Sequence, residues 1–254
     1  MRRFYLVFTF TLLLLGCTSA KNYDVQSLTA QNLLIKTGNA SELIQSYKSY
    51  LFENSSDYEV IYKLINIYID SGDFESASFY MNFLLKEENA FKNPDWLFTA
   101  SKINLNLGDV SFAKSYALQA YRLNNRDKDI LNILGIIGAM EGQYSVARQR
   151  FESARMAMAD DTKIKNNLAI IDILEKQYHK AYQRLSPLLK NKVVDNQIKV
   201  TMSIVLAKLN QFTMFEDLMK DIEHQYIHDL YIDLAEADFR YAKDVFNLTY
   251  TRDY

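Results

Sequence analysis

The feature that most constrains this chain is a turn that recurs every 34 to 36 residues. The residues at successive turns are Gly38, Gly72, Gly108, Gly142, Lys176 and Asn210. An alanine stands five residues after four of these turns, at Ala77, Ala113, Ala147 and Ala181. This period accommodates two helices of about a dozen residues each, joined by a tight turn. The repeat therefore predicts a series of helical hairpins.

Composition supports helices over strands. The 254 residues include only seven Gly and two Pro, too few breakers for the turns that many short strands require. Small residues at Gly135 and Ala147 allow two helices to approach, while Phe151 fills the groove between them. One hairpin cannot bury its apolar face alone, so neighbouring hairpins must stack. A generic helical bundle is the alternative, but the aligned alanines argue against it. We predict an all-α chain.

The pattern resembles the tetratricopeptide repeat over roughly residues 24–222 and is clearest in the units starting near residues 94, 128 and 162. The resemblance implies a right-handed superhelix of antiparallel helix pairs, with about five to six hairpins. Residues 223–254 are predicted to form a C-terminal capping helix and tail. Apolar residues recur at three- and four-residue steps between about 229 and 248, opposite a charged face, as a cap on the last repeat requires. A partner-binding amphipathic helix is the alternative for this segment.

The N-terminus has the features of a bacterial lipoprotein signal. Arg2 and Arg3 precede a stretch of twelve uncharged, largely apolar residues, which ends at Gly16-Cys17. Twelve residues are too few to span a bilayer but match a signal peptide. The small residue before the cysteine resembles a lipobox. This implies a signal peptide at 1–16, acylation of Cys17 and a short tether at 17–23. The alternative is an ordinary secretory signal cleaved near residues 18–20.

Localisation and partners follow from the same segment and from the charge. By analogy with enterobacterial sorting, Thr18 after the cysteine favours the periplasmic face of the outer membrane over the inner membrane. No later segment is long and apolar enough to span a bilayer. The net charge is −2 and no basic stripe is present, which argues against nucleic acid as a partner. We expect protein partners, the membrane through the lipid anchor, and no small-molecule substrate.

In tetratricopeptide folds the first helix of each pair lines the concave side, and the resemblance places a partner-binding groove there. The groove positions are Tyr62, Asn66, Ile69, Phe98, Lys102, Leu105, Asn132, Ile136, Met140, Asn166, Ile170 and Ile173. An Asn amide can pair with the main chain of an extended peptide or with a docked helix. The basic clamp that some family members use for a terminal carboxylate is not reproduced. We therefore expect a peptide or an amphipathic helix in the groove, not an acidic tail.

The sequence gives little reason to expect catalysis. His224 and His228 are spaced to share one helix face, but no Glu follows His224 and no third ligand is evident. His179 stands beside a turn, where we expect it to be solvated. The single cysteine is assigned to the anchor, and no nucleophile or phosphate-loop motif occurs. We predict a protein that is not an enzyme and holds no metal or cofactor. A metal-dependent periplasmic enzyme using His224 and His228 is the alternative.

Residues 131–189 suggest a narrower relationship. Leu131, Leu134 and Gly135 form one motif, and 166–169 and 185–188 form two others. Together they resemble TadD, the tetratricopeptide lipoprotein family of the tight-adherence (Flp pilus) secretion system, although Lys176 replaces the family's usual Gly. The resemblance implies a pilotin-like scaffold that binds the secretin or another component of the machinery. The alternative is that the chain serves a different envelope machine, either as a type IV pilus pilotin or as an outer-membrane protein assembly factor.

Overall fold

The computed structural model describes residues 40–190, 195–239 and 245. The predicted signal peptide, Cys17, the tether and the start of the repeat region, including Gly38, lie outside this part. The chain divides into two compact units, residues 1–57 and 58–254. In the smaller unit, α1 (Ala40–Glu53) buries Leu43, Tyr47 and Leu51 on one face. This burial raises the pKa of the Tyr47 hydroxyl above its ordinary value.

The described part of the larger unit is helical throughout, without a strand, which confirms the predicted all-α fold class. The helices are α2 (Tyr58–Asp70), α3 (Phe74–Leu84), α4 (Pro94–Asn106), α5 (Val110–Leu123), α6 (Lys128–Met140), α7 (Tyr144–Met156), α8 (Asp161–Leu174), α9 (Tyr178–Leu185), α10 (Asn196–Lys208), α11 (Phe212–Leu218) and α12 (His224–Glu236). Short 3₁₀ turns at Ala90–Lys92 and Leu188–Lys190 precede α4 and follow α9.

A left-handed residue ends the first helix of each of the five pairs from α2–α3 to α10–α11. The φ angles are +76° at Gly72, +86° at Gly108, +73° at Gly142, +59° at Lys176 and +57° at Asn210. At each turn this residue donates its N–H to the carbonyl three residues earlier, and the next residue donates to the carbonyl five residues earlier. These two bonds form the Schellman motif, which satisfies carbonyls that the helix end leaves free. The five turns predicted from Gly72 to Asn210 are therefore confirmed.

Polar side chains begin the first helices of four pairs. The side chains of Asn93, Asp127, Asp160 and Asp195 accept hydrogen bonds from backbone N–H groups in the first turns of α4, α6, α8 and α10. Each cap satisfies N–H groups that have no partner within the helix. Caps and left-handed turns together fix where the first helices start and stop.

Small residues lie inside each pair, and apolar clusters join neighbouring pairs. Ala77, Ala113, Ala147 and Ala181 are all fully buried, so the aligned alanines lie where the two helices of a pair meet. One apolar cluster joins α4, α5 and the start of α6 around Leu97, Ala117 and Ile133. A second extends from α6 to α12 and includes Val245. Each pair thus completes the core of its neighbour, as the repeat predicts.

The C-terminal helix differs in extent from its prediction. The sequence pattern predicts helix from about 229 to 248, whereas α12 begins at His224 and ends at Glu236. Ala237 is extended, with ψ of 130°. The Lys208 ammonium from α10 donates to the carbonyls of Ala235, at 2.8 Å, and Ala237. A cation that binds the last free carbonyls stabilises a helix end, which explains the stop. Residue 245 is helical again, and 240–244 and 246–254 lie outside the described part.

Replacing Lys176 by Gly should stabilise the protein. A non-glycine residue in the left-handed region is strained by contact of its Cβ with the backbone, at a cost of about 1 kcal/mol. Lys176→Gly should raise the free energy of unfolding by about that amount, measured by urea denaturation. Lys176→Ala is the control, because it keeps the Cβ and should leave the stability nearly unchanged. Equal effects of the two substitutions would contradict a strained turn.

Two glycines of α6 should respond oppositely to alanine. A Cβ at Gly135 would lie 2.5 Å from Cε1 of the buried Phe151, whereas one at Gly138 would meet Ala147 at an ordinary 3.6 Å. Gly135→Ala should lower the free energy of unfolding by about 2 kcal/mol, while Gly138→Ala should leave it unchanged or raise it by up to about 1 kcal/mol. Thermal unfolding by circular dichroism distinguishes them. Addition of Phe151→Leu should restore part of the stability lost in Gly135→Ala, and similar losses in the two single variants would refute the contact.

Candidate functional site: a cleft on the first helices

A cleft of about 230 Å³ lies across the inner faces of three first helices. It is lined by Tyr62, Asn66 and Ile69 from α2, by Asp95, Phe98, Thr99 and Lys102 from α4, and by Asp127, Asp129 and Ile130 at the start of α6. Four groove residues predicted from the sequence, namely Tyr62, Asn66, Phe98 and Lys102, are therefore brought together. Ile69, also predicted, lies in the same wall but is only 7% exposed.

Aromatic and polar contacts join α2 to α4 beside the cleft. The hydroxyls of Tyr62 and Thr99 are hydrogen-bonded at 2.9 Å. Trp96 packs against Tyr62 and Tyr58, with ring centroids 6.3 and 6.4 Å apart respectively. Such ring pairs add to stability beyond their buried area. The cleft wall is therefore held in place before any partner binds.

Asn66 combines a fixed orientation with an available acceptor. Its amide nitrogen donates to the Tyr62 carbonyl at 2.8 Å, one helical turn earlier. The structure shows no partner for the amide oxygen among the residues it describes. An acceptor of this kind, on a residue that lines a cleft, suits a main-chain N–H of a bound peptide.

The groove positions on α6 contribute less than expected. Asn132 and Ile136 are half-buried and do not line the cleft. The Asn132 side-chain oxygen accepts from the Asn167 amide nitrogen at 2.9 Å, which links α6 to α8. Ile136 packs against the apolar cluster of the later pairs, as Met140 does, and Leu105 packs against the earlier one. These positions mainly support stacking.

The structure buries the groove positions predicted on α8. Asn166 is 2% exposed, Ile170 is fully buried and Ile173 is 1% exposed, so none is available to a partner. The helix lies in the core together with Ile198 and Met202 of α10. The sequence contained a signal for this burial, because residues 168–174 are apolar on nearly every side, as in a helix enclosed by neighbours. The repeat alignment alone does not distinguish these buried positions from exposed ones.

Sequence reasoning missed the carboxylates of the cleft. Asp95 and Asp129 lie in the first turns of α4 and α6, and Asp127 caps α6 by accepting from the N–H groups of Asp129 and Ile130. Acidic residues are common in first turns, where the helix dipole favours them. In the sequence, each of these residues therefore indicates only the start of a helix. All three of these carboxylates also line the cleft.

A buried carboxylate joins three helices away from the cleft. Asp172 of α8 is fully buried and contacts Arg148 of α7 at 2.7 Å and Arg184 of α9 at 3.0 Å. Arg148 also contacts Glu175 at 2.5 Å. The equivalent pair one repeat earlier is Lys114 with Glu141, at 2.7 Å. Charge pairs at the repeat period thus fasten neighbouring units, and the sequence analysis did not identify them.

Removing the Asp172 charge should destabilise the protein strongly. Asp172→Asn leaves two half-buried arginines without their shared carboxylate and should lower the free energy of unfolding by about 3 kcal/mol. Asp109→Asn is a matched control, because that exposed residue makes no side-chain cap bond and should change stability by less than about 0.5 kcal/mol. Urea denaturation of both variants provides the comparison. Equal stability of the two would exclude a structural role for the network.

The two C-terminal histidines are accounted for by other contacts. His224 Nε2 lies 3.1 Å from a Glu216 carboxylate oxygen, and the His228 ring packs edge-on against Phe212, with centroids 5.9 Å apart. Within residues 40–190, 195–239 and 245, no three His, Cys, Asp or Glu side chains cluster in a way that could hold a metal ion.

None of the helices in the described part of the chain is both long enough and apolar enough to cross a membrane.

Helix pairs repeated at about 34 residues, left-handed turns at one register position and a cleft on the first helices define a helical-repeat fold of the tetratricopeptide type. No known family profile matches the sequence, and no curated protein matches it either. The fold, however, is found in several solved structures.

Three of these structures show the likeness. A tetratricopeptide repeat protein from Parabacteroides merdae has a TM-score of 0.68 at 15% identity, covering 82% of each chain. The APC/C hetero-tetramer Cut9–Hcn1 gives 0.64 at 15% identity, covering 80% of this chain and 41% of that one. Pseudomonas aeruginosa PilF gives 0.55 at 16% identity, covering 77% and 93% respectively. At these identities the likeness establishes the fold alone.

Proposed function

We propose that this chain is a lipid-anchored scaffold on the periplasmic face of the bacterial outer membrane. In this role it binds a protein component of an envelope machine through the cleft formed by α2, α4 and α6. The observation that carries the proposal is this cleft, which combines a preformed aromatic wall with a free amide acceptor. Pockets for small molecules are typically about 300–1,000 Å³. A smaller, open cleft suits side chains of a protein partner better than a substrate.

The proposed anchor gives the scaffold its place. Acylation of Cys17, implied by the lipobox resemblance, would hold the repeats near the membrane through a short tether. A scaffold held there raises the effective concentration of any subunit that it binds, without additional contacts. Such a role requires a binding surface and a location but no catalytic group.

The tight-adherence (Flp pilus) secretion system is the machine we propose, with the outer-membrane secretin as the first candidate partner. Support comes from the resemblance of residues 131–189 to the TadD family and from the likeness in fold to the pilus-related PilF. A second candidate is a different envelope machine with the same type of lipoprotein, either a type IV pilus or the outer-membrane protein assembly machinery. The identity of the captured partner distinguishes these candidates.

Site-specific cross-linking in the native envelope tests the proposal. A photoreactive p-benzoylphenylalanine replaces Asn66 or Lys102 in the cleft, and Ser115 on the exposed face of α5 as the control. Irradiation should yield a discrete cross-linked product from the two cleft positions and none from Ser115, and mass spectrometry should identify the partner. In the Cys17→Ser background the yield should fall, because the protein is no longer held at the membrane. Absence of products at both cleft positions, or equal products at Ser115, would refute the cleft as the binding site.

A further inference from the structure

The cleft carries an excess of negative charge. Its lining includes three carboxylates, from Asp95, Asp127 and Asp129, against one ammonium, from Lys102. None of the four takes part in an ion pair within the part of the chain that the structure describes. Asp95 and Asp129 are exposed, so both present their charge to whatever enters the cleft. The helix dipoles of α4 and α6 stabilise these carboxylates where they stand, which leaves their charge available to a partner.

The surface beside these carboxylates is apolar and aromatic. Phe98 and Tyr62 are partly exposed members of the lining, and Ile69 and Ile130 are buried members. Lysine and arginine have long aliphatic stems that pack on such surfaces while the charged head stays near water. Aromatic rings attract a cationic head as well. An acidic or phosphorylated side chain would meet repulsion at the same place.

The volume of the cleft is suited to binding a side chain of a partner. At about 230 Å³ and open to solvent, the cleft accommodates one or two side chains of an extended segment. The free oxygen of Asn66 lies in the same wall, where it can accept a main-chain N–H. Lys102, at the opposite sign of charge, is the one lining group that disfavours a cation.

We infer that the cleft recognises an extended partner segment carrying lysine or arginine beside an apolar residue, with the cationic head at the carboxylates of Asp95, Asp127 and Asp129. This inference rests on the proposed function of the cleft as a protein-binding site and specifies the chemistry of the partner.

Three capped heptapeptides provide the test with the full chain. They share an apolar sequence and differ at two central positions, which are Lys, Gln or Glu. Calorimetry measures affinity, and the fluorescence of Trp96, the sole tryptophan, reports on the cleft because its ring packs against Tyr62. The Lys peptide should bind about ten-fold more tightly than the Gln peptide, and the Glu peptide should not bind. Raising the salt concentration from 50 to 500 mM should weaken the Lys peptide several-fold, as screening requires.

Single substitutions locate the effect. Asp95→Asn and Asp129→Asn should each weaken the Lys peptide about three-fold, while Asp109→Asn, the same change outside the cleft, should not. Lys102→Gln should strengthen it about two-fold, because it removes the one opposing charge. Asp127 is left intact, since its loss would also remove the cap of α6. Thermal unfolding checks that each variant is folded.

The outcomes separate the two proposals. Tighter binding of the Glu peptide, lost in Lys102→Gln, would overturn the cationic preference while leaving the cleft a protein-binding site. Equal binding of the Lys and Gln peptides, or no binding of any peptide, would also overturn the inference. The cross-linking from Asn66 and Lys102 in the native envelope tests the proposed function independently.

Discussion

Every helix pair in the described part of the larger unit depends on one left-handed residue at its turn, because that residue reverses the chain while satisfying the last carbonyls of the first helix. Five such residues keep the same register, although only three are glycine. The constant position of the turn gives the first helices similar lengths and brings the alanine five residues later into the pair interface in four of the five pairs. The stacking of the pairs, and therefore the core, follows from this geometry.

Whether a first helix offers a surface or fills the interior depends on what packs over it. The inner faces of α2 and α4 remain open and, with the start of α6, form the cleft. The helix α8 packs against α10, and Asn166 and Ile170 at the same register positions are buried. A repeat therefore does not give equivalent positions equivalent roles. The cleft lies on the earlier pairs, and the later pairs form a core in which Asp172 pairs with its arginines.

The period, the turns and the alanines could be predicted because they are local requirements of backbone and packing, repeated often enough to align. The groove on α2 and α4 could be predicted because it follows from the register. The burial of Asn166 does not follow from the register, and its one signal is that the neighbouring residues 168–174 are apolar on nearly every side. The end of α12 at Glu236 could not be predicted either, because the helix is stopped by Lys208, which is distant in the sequence. The acidic lining of the cleft could not be predicted because Asp95 and Asp129 also serve as helix-start residues.

Cysteine accessibility tests most directly whether the first helices are open at α2 and α4 and closed at α8. In a Cys17→Ser background, Asn66→Cys, Lys102→Cys and Asn166→Cys would be treated with a maleimide reagent in the folded protein. The cysteines at positions 66 and 102 should react rapidly, while the one at 166 should react only after unfolding in urea. Labelling of position 166 in the folded protein at the rate of position 102 would contradict the arrangement, because α8 would then be as open as α4.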